Sequence, residues 1–99
     1  MTCYCYILEC SDGTYYTGWT TDPVRRVKQH NKGIGAKYTS TRRPVKLIYL
    51  EEHSDRAAAM KRELAIKKMK RGQKRRLVEG YEELNESSGR HANMEKRKK

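Results

Sequence analysis

The chain has no phenylalanine, one tryptophan, two prolines, and twelve acidic residues against twenty-three basic ones. Each shortage excludes something. Aromatic core material has to come chiefly from the seven tyrosines, so a tyrosine in a strand is a core candidate before it is a chemical one. No apolar run approaches the ~20 residues a bilayer requires, and none reads as a membrane-spanning helix. The first residues lack a basic segment leading into an apolar stretch, so no signal peptide is read and a cytoplasmic location is expected. Only Cys3, Cys5 and Cys10 carry thiols, an odd number confined to one short segment. That suits a reducing compartment better than a disulfide framework. A zinc site completed by His30 or His53 lacks the paired C-x-x-C spacing such sites use, and the cysteines read as small buried hydrophobes.

What the chain has in excess is positive charge, +11 at pH 7 in 99 residues. A field of that size attracts polyanions, and phosphate backbones are the commonest target. Nucleic acid is therefore the expected partner class, and charge identifies nothing narrower, since a ribosomal or RNA-binding role would give the same balance. The length suits one domain with a modest core, and a monomer is expected. We read residues 1–84 as that domain. Residues 85–99 have no periodicity, hold five bases and two acids, and read as a basic, disordered tail.

The order of elements is legible from turns and caps. Residues 3–10 and 14–19 alternate as strands around Asp12-Gly13, a strong hairpin signal. Asp22 offers an N-cap and Pro23 a first helical residue, giving a helix over residues 22–32 with Val24 and Val27 inward and Gly33 as the stop. Residues 33–43 mix glycines, hydroxyls, bases and Tyr38, and read as a loop suited to phosphate contact. Residues 45–50 read as a strongly apolar and central third strand. Ser54 or Asp55 caps a second helix from about Arg56 to Lys70, which Gly72 breaks before a third. The fold class is α/β (α+β): a three-stranded antiparallel sheet flanked by helices, in the order β-β-α-β-α-α.

Four features then stand out. Tyr4-Cys5-Tyr6 and Tyr16-Thr17-Gly18 flank the hairpin turn, with Tyr16 ten positions after Tyr6. Arg26 follows Tyr16 by another ten, and His30 lies four beyond it on the same helical face. Between Lys61 and Arg76 there are nine bases and a single acid, Glu63. These residues resemble the signature of the GIY-YIG nucleases, and the resemblance extends over roughly the first 80 residues, nearest to the small stand-alone bacterial branch. Tyr4 stands where that signature has its first glycine, and Thr17 where it has isoleucine. Trp19 stands where a relative, the incision domain of the bacterial excision-repair nuclease, has lysine.

The resemblance implies metal-dependent endonucleolytic hydrolysis of DNA, on structured or damaged strands, with Tyr6, Tyr16, Arg26 and His30 catalytic. It makes Glu63 the ligand of one Mg²⁺ or Mn²⁺. The residue types suit those tasks. A guanidinium offers a permanent fork of donors to phosphate oxygens, and a hard divalent cation takes carboxylate and phosphate oxygens. Tyr16 is the implied base, and His30, an imidazole with an ordinary value near neutrality, is the other candidate. Tyr6 shapes the site by hydrogen bonding. Taken without the resemblance, Glu63 is as readily the partner of Lys67 at i, i+4. Gly18 either admits a close backbone approach or marks a strand end, and Trp19 either stacks a base or packs on the sheet. Arg25, Lys37, Tyr38, Arg42, Arg43, Lys67 and Lys74 are the expected nucleic-acid contacts. The alternative is a non-catalytic module that binds structured DNA or RNA.

Overall fold

The hairpin forms where Asp12 and Gly13 place it. The Asp12 carboxylate accepts from the Thr14 amide at 3.1 Å and from its hydroxyl at 2.6 Å. Gly13 takes φ +84°, a left-handed conformation that side chains rarely adopt. In the computed structural model, residues 1–87 are described. The elements are β1 (Cys3–Glu9), β2 (Tyr15–Thr20), α1 (Pro23–Asn31), α2 (Lys37–Ser40), β3 (Lys46–His53), α3 (Arg56–Lys67) and α4 (Arg71–Ser87). The three strands form one antiparallel sheet with helices about it, as expected. The one added element is α2, a single turn inside the segment read as loop.

Strand order is β2-β1-β3, so β1 is central and β3, expected in the middle, is an edge. Burial explains the difference. Cys3, Cys5 and Ile7 are buried on one face of β1, and Tyr6, Leu8 and Cys10 on the other. The apolar run that suggested a central β3 continues into Glu51, Glu52 and His53, and Glu52 is exposed. All three cysteines are buried and free.

Both caps of α1 form. The Asp22 side chain accepts from the Arg25 amide at 3.1 Å, and Pro23 opens the helix. At the other end Gly33 has φ +86°. Its amide bonds the His30 carbonyl at 3.0 Å and the Ile34 amide bonds that of Gln29 at 3.1 Å, the paired bonds of a Schellman stop. The buried face differs from the expected one. Val24 is 68% exposed, whereas His30 has no exposed surface and Val27 packs on the cluster of Tyr6, Leu8, Cys10 and Val45. Val24, six positions before His30, lies well off the inward arc that His30 and Val27 define.

Asp55 caps α3 by accepting from the Ala58 amide at 2.8 Å, and α3 packs across β1 and β2 on the face opposite α1. This helix ends at Lys67, three residues before the expected end. The break falls over residues 68–70, and Gly72 lies in the first turn of α4, not at the interruption. Gln73 Oε1 accepts from the Lys70 amide at 2.9 Å, which is half of a capping box and starts the new helix there. Met1–Lys68 is one compact unit and a second begins at Met69, which holds α4 and Lys74. Of the expected tail, residues 88–99 lie outside the described residues. Among the described residues no helix is long and apolar enough to cross a membrane.

Candidate active site

Tyr6 sits in the middle of β1 with its ring lying over Gly18, its cross-strand partner in β2. A Cβ built on Gly18 would come within 2.5 Å of the Tyr6 hydroxyl oxygen, so the glycine is there to admit the ring. The Tyr6 hydroxyl meets His30 Nε2 at 2.9 Å, and His30 Nδ1 meets Thr39 Oγ1 at 2.8 Å. Thr39 Oγ1 also donates to the Ala36 carbonyl at 3.1 Å. A hydroxyl has one proton, so Thr39 accepts from Nδ1–H, and Nε2 is left to accept from Tyr6. The chain therefore runs in one direction, from phenol to imidazole to hydroxyl to carbonyl. Tyr6, His30 and Thr39 are all buried.

Burial sets the protonation of this chain. It pushes the His30 imidazole down to about 4, with the Arg26 charge acting the same way, so the ring is neutral near pH 7. It also raises the Tyr6 phenol above its ordinary value, against the hydrogen bond and charge of Arg26. Tyr6 therefore keeps its proton and gives it in a hydrogen bond to His30. His30, the alternative base in the sequence, touches no solvent and has both ring nitrogens engaged. Thr39 read only as a loop hydroxyl, because nothing in the spacing links it to His30. Gly35 was similarly unmarked: a Cβ there would lie 2.5 Å from His30 Nδ1, so it lets the loop close over the imidazole.

Tyr16 is placed differently. It belongs to β2, an edge strand, and is only half-buried, so helices on both faces of the sheet can reach it. From one side its ring lies 5.2 Å from that of His30 and 6.0 Å from that of Tyr38, the latter stacked. From the other, Lys67 Nζ sits 5.9 Å from the ring centroid. Lys67 pairs with Glu63 at 3.5 Å, and the Glu63 side chain is 17% exposed. The i, i+4 pair exists, and it stands beside Tyr16. Glu63 also lies near enough to Tyr6 for its charge to raise that phenol. Among the described residues, no hydrogen bond engages the Tyr16 hydroxyl.

Arg26 is fixed by its neighbours. Nη1 donates to Gln29 Oε1 at 3.0 Å and Nη2 to the Gly35 carbonyl at 2.7 Å. These two bonds and the one to Tyr6 leave part of the five-donor guanidinium available to an anion. Exposed Arg25 lines an open groove beside it, together with Trp19. Lys37 and Lys67 are exposed and Tyr38 is 38% exposed. Arg42 and Arg43 are occupied within the protein. Arg42 pairs with Asp12 at 3.1 Å, donates to the Tyr38 carbonyl at 2.8 Å and lies 3.9 Å from the Tyr38 ring centre. Arg43 donates to the carbonyls of Ser40 at 2.9 Å and Asn31 at 3.3 Å. Expected as backbone contacts, these two bind the α2 segment to the hairpin turn and to the end of α1.

Two tyrosines, an arginine and a glutamate thus lie near one another about β1 and β2. The profile of the GIY-YIG catalytic domain matches residues 2–77. The chain belongs to the GIY-YIG family. It is 54% identical to a UPF0213 protein of Syntrophus aciditrophicus over 76 residues, covering 76% of this chain and 87% of the relative. With a UPF0213 protein of Halobacterium salinarum the identity is 56% over 72 residues, 73% of this chain and 94% of the other. Among solved structures, the solution structure of a UPF0213 protein from Bacillus halodurans superposes with TM-score 0.53 at 46% identity, over 80% of this chain and 84% of that one. A protein from E. faecalis does so with TM-score 0.57 at 42% identity, over 83% and 88%.

GIY-YIG nucleases are generally metal-dependent, and the described residues offer two places with donor atoms. One is Glu63. The other is Cys5, Glu51 and His53, whose donor atoms lie within 4.8 Å of one another on the face away from Tyr6. In that second set the carboxylate is already satisfied. Glu51 accepts from the Tyr49 hydroxyl at 2.5 Å, from His53 Nε2 at 2.7 Å and from Arg62 Nε at 2.9 and 3.2 Å. Burial would raise its carboxyl, yet the bonds from Tyr49, Arg62 and His53 outweigh burial and hold it low. Burial pushes the Cys5 thiol up to about 11, and its sulfur donates to the Ala59 carbonyl at 2.9 Å. A protonated thiol and a carboxylate neutralised by a guanidinium form a structural knot and a poor ligand set for a hard cation.

Proposed function

We propose that this protein is a metal-dependent endonuclease that hydrolyses phosphodiester bonds in structured or damaged DNA. The proposed catalytic domain is residues 1–84, with residues 85–99 as a basic tail. The observation that carries the reading is the placement of Tyr16, Arg26 and Glu63 around the Tyr6–His30 pair, inside a chain of charge +11.

Each group has one task. Arg26, held by Gln29 and Gly35, keeps donors free for the phosphate oxygens and neutralises charge that develops on them. Glu63 fits one Mg²⁺ or Mn²⁺, being a hard oxygen donor that is part-exposed and next to the phenols. Bound there, such an ion would supply Lewis acidity and charge stabilisation for the leaving oxygen. Water attacks phosphorus, the new O–P bond forms as the bond to the leaving oxygen breaks, the proton of the water goes to Tyr16 acting as its phenolate, and the leaving oxygen takes a proton from solvent. Tyr16 is assigned that role because its hydroxyl is uncommitted, whereas the Tyr6 hydroxyl is bonded to His30. His30 and Thr39 position Tyr6, and Tyr6 holds its hydroxyl beside Arg26. The same residues with the ion absent would still bind a phosphate backbone, which is the second reading the charge supports.

The test uses Glu63→Gln, which keeps the side chain's shape and removes the charge. Nicked, flapped, branched and single-stranded DNA are incubated with each protein, with and without Mg²⁺ or Mn²⁺. Wild type cuts at least one substrate in the presence of metal. The variant cuts none, and its metal-free affinity for DNA is unchanged or higher. Equal cutting by both, or no cutting by wild type, refutes the assignment and leaves a binding module.

A further inference from the structure

The chain's single tryptophan lies outside the network just described. Trp19, at the end of β2, is half-buried and lines an open groove of about 380 Å³ with Thr20, Asp22, Arg25, Arg26 and Gln29. The Arg56 guanidinium carbon sits over the indole, 5.6 Å from the ring centroid, so α3 covers one face of the ring, and Trp19 itself lines the groove. The other walls are polar. The Asp22 carboxylate is tied to the Arg25 amide at 3.1 Å, and Gln29 Oε1 is tied to Arg26, leaving the Gln29 amide nitrogen free as a donor.

We infer that this groove is a subsite for one unpaired nucleotide, whose base stacks on Trp19 while its phosphate lies against Arg25 and Arg26. The size and chemistry fit that ligand. A flat aromatic wall gives sequence-tolerant stacking to any base, and two guanidiniums beside it give the backbone its counter-charge. A base held in a duplex stack presents only its edges to a groove, so it has no face to offer the indole. Arg26 belongs both to this groove and to the cluster around Tyr6, so a nucleotide seated here brings its phosphate up to that cluster. The inference rests on the nuclease reading only for which bond is cut: a bond next to an unpaired nucleotide, as at a flap, a gap or a frayed end. It also accounts for the two basic neighbours on α1, because Arg26 faces the reacting phosphate from one end of the groove and Arg25 holds the strand along it.

The single tryptophan makes the test direct. Full-length protein is titrated with single-stranded oligothymidylate, with a blunt duplex of equal charge, and with inorganic polyphosphate, and indole emission is followed. Oligothymidylate quenches Trp19 strongly; the duplex and polyphosphate bind through the basic surface and leave the emission nearly unchanged. In a separate anisotropy titration with labelled oligothymidylate, Trp19→Leu weakens binding by roughly 5- to 150-fold, the loss of one base–aromatic stack. Trp19→Phe restores most of it, and circular dichroism confirms that both variants fold. Binding of oligothymidylate without quenching, or quenching by polyphosphate of equal size, overturns the subsite. The titrations are run in the Glu63→Gln background to hold chemistry off, and cleavage is scored separately with an intact Glu63. Quenching with no cleavage of any substrate keeps the subsite and defeats the nuclease assignment. Cleavage of flaps that Trp19→Leu leaves untouched keeps the nuclease and defeats the subsite.

Discussion

Lowering the pH should destabilise this fold well before its carboxylates titrate, and His30 is the reason. The imidazole has no exposed surface, accepts from Tyr6 through Nε2, and is pushed from 6.5 down to about 4. Protonating Nε2 would put a donor where Tyr6 already donates and would add a buried charge near Arg26. In the unfolded chain the ring returns to its ordinary value, so between pH 6.5 and about 4 the unfolded state binds the extra proton. Stability therefore rises with pH across that window and falls as the solution is acidified. The difference of about 2.5 pH units corresponds to about 3 kcal/mol, a sizeable fraction of the total for a domain of this size. Glu51 enters only below its ordinary 4.5, since its carboxyl is held low, so the interval from 6.5 to 4.5 isolates His30. Urea unfolding at closely spaced pH values measures the slope, which approaches about 1.4 kcal/mol per pH unit for one proton. His30→Gln should flatten the slope, whatever it does to absolute stability. His53 and His91 are present in both proteins and cancel. A slope that His30→Gln leaves unchanged would refute the neutral, buried imidazole and with it the direction of the Tyr6–His30–Thr39 chain.

Two further substitutions probe the packing behind the site. Gly18→Ala puts a methyl group 2.5 Å from the Tyr6 hydroxyl oxygen and 2.7 Å from Cζ, and a ring inside a sheet has no room to yield. Overpacking of this kind costs about 1–3 kcal/mol, and cleavage falls further than the stability loss explains, as assayed on folded protein below its melting temperature. Thr17 has a buried hydroxyl with no partner among the described residues, at the position where the related signature has isoleucine. Thr17→Val removes that orphan group and raises stability by about 1 kcal/mol or more in urea unfolding. A neutral or destabilising result would mean the hydroxyl is satisfied, by water or otherwise.

Local residues carried most of what could be read in advance. The hairpin turn, both caps of α1 and the Asp55 cap of α3 are decided within a few positions of chain, and each appears where the sequence placed it. Strand order is a question of which segment is covered on both faces. An apolar run names β3, yet β1 takes the centre with cysteines and tyrosines that score as half-polar. Composition does not reveal the internal bonds of Arg42 and Arg43, because a base in a loop looks alike whether it waits for phosphate or holds its own backbone. The link between His30 and Thr39 spans nine positions of irregular chain and leaves no periodic trace. Spacing puts Tyr6, Tyr16 and Arg26 on a short hairpin and the capped helix after it, whereas Glu63, a strand and a helix further on, is set apart from a partner of Lys67 only through the resemblance.

The role of α3 shows how the two faces of the sheet cooperate. Successive residues on a helix point about 100° apart, so Arg62 and Glu63 must serve different neighbours. Arg62 goes to Glu51 on β3, at one edge of the sheet, and Glu63 with Lys67 goes to Tyr16 on β2, at the other. Ala59 and Ile66, both fully buried, lie between them. A helix packed only by small or aliphatic side chains can roll, and a roll of a few tens of degrees would carry Glu63 away from the phenols. The bonds of Glu51 to Tyr49, His53 and Arg62 remove that freedom at the far edge. The knot on β3 fixes the rotation of α3, and with it the direction of Glu63, the carboxylate to which the proposed function assigns the metal.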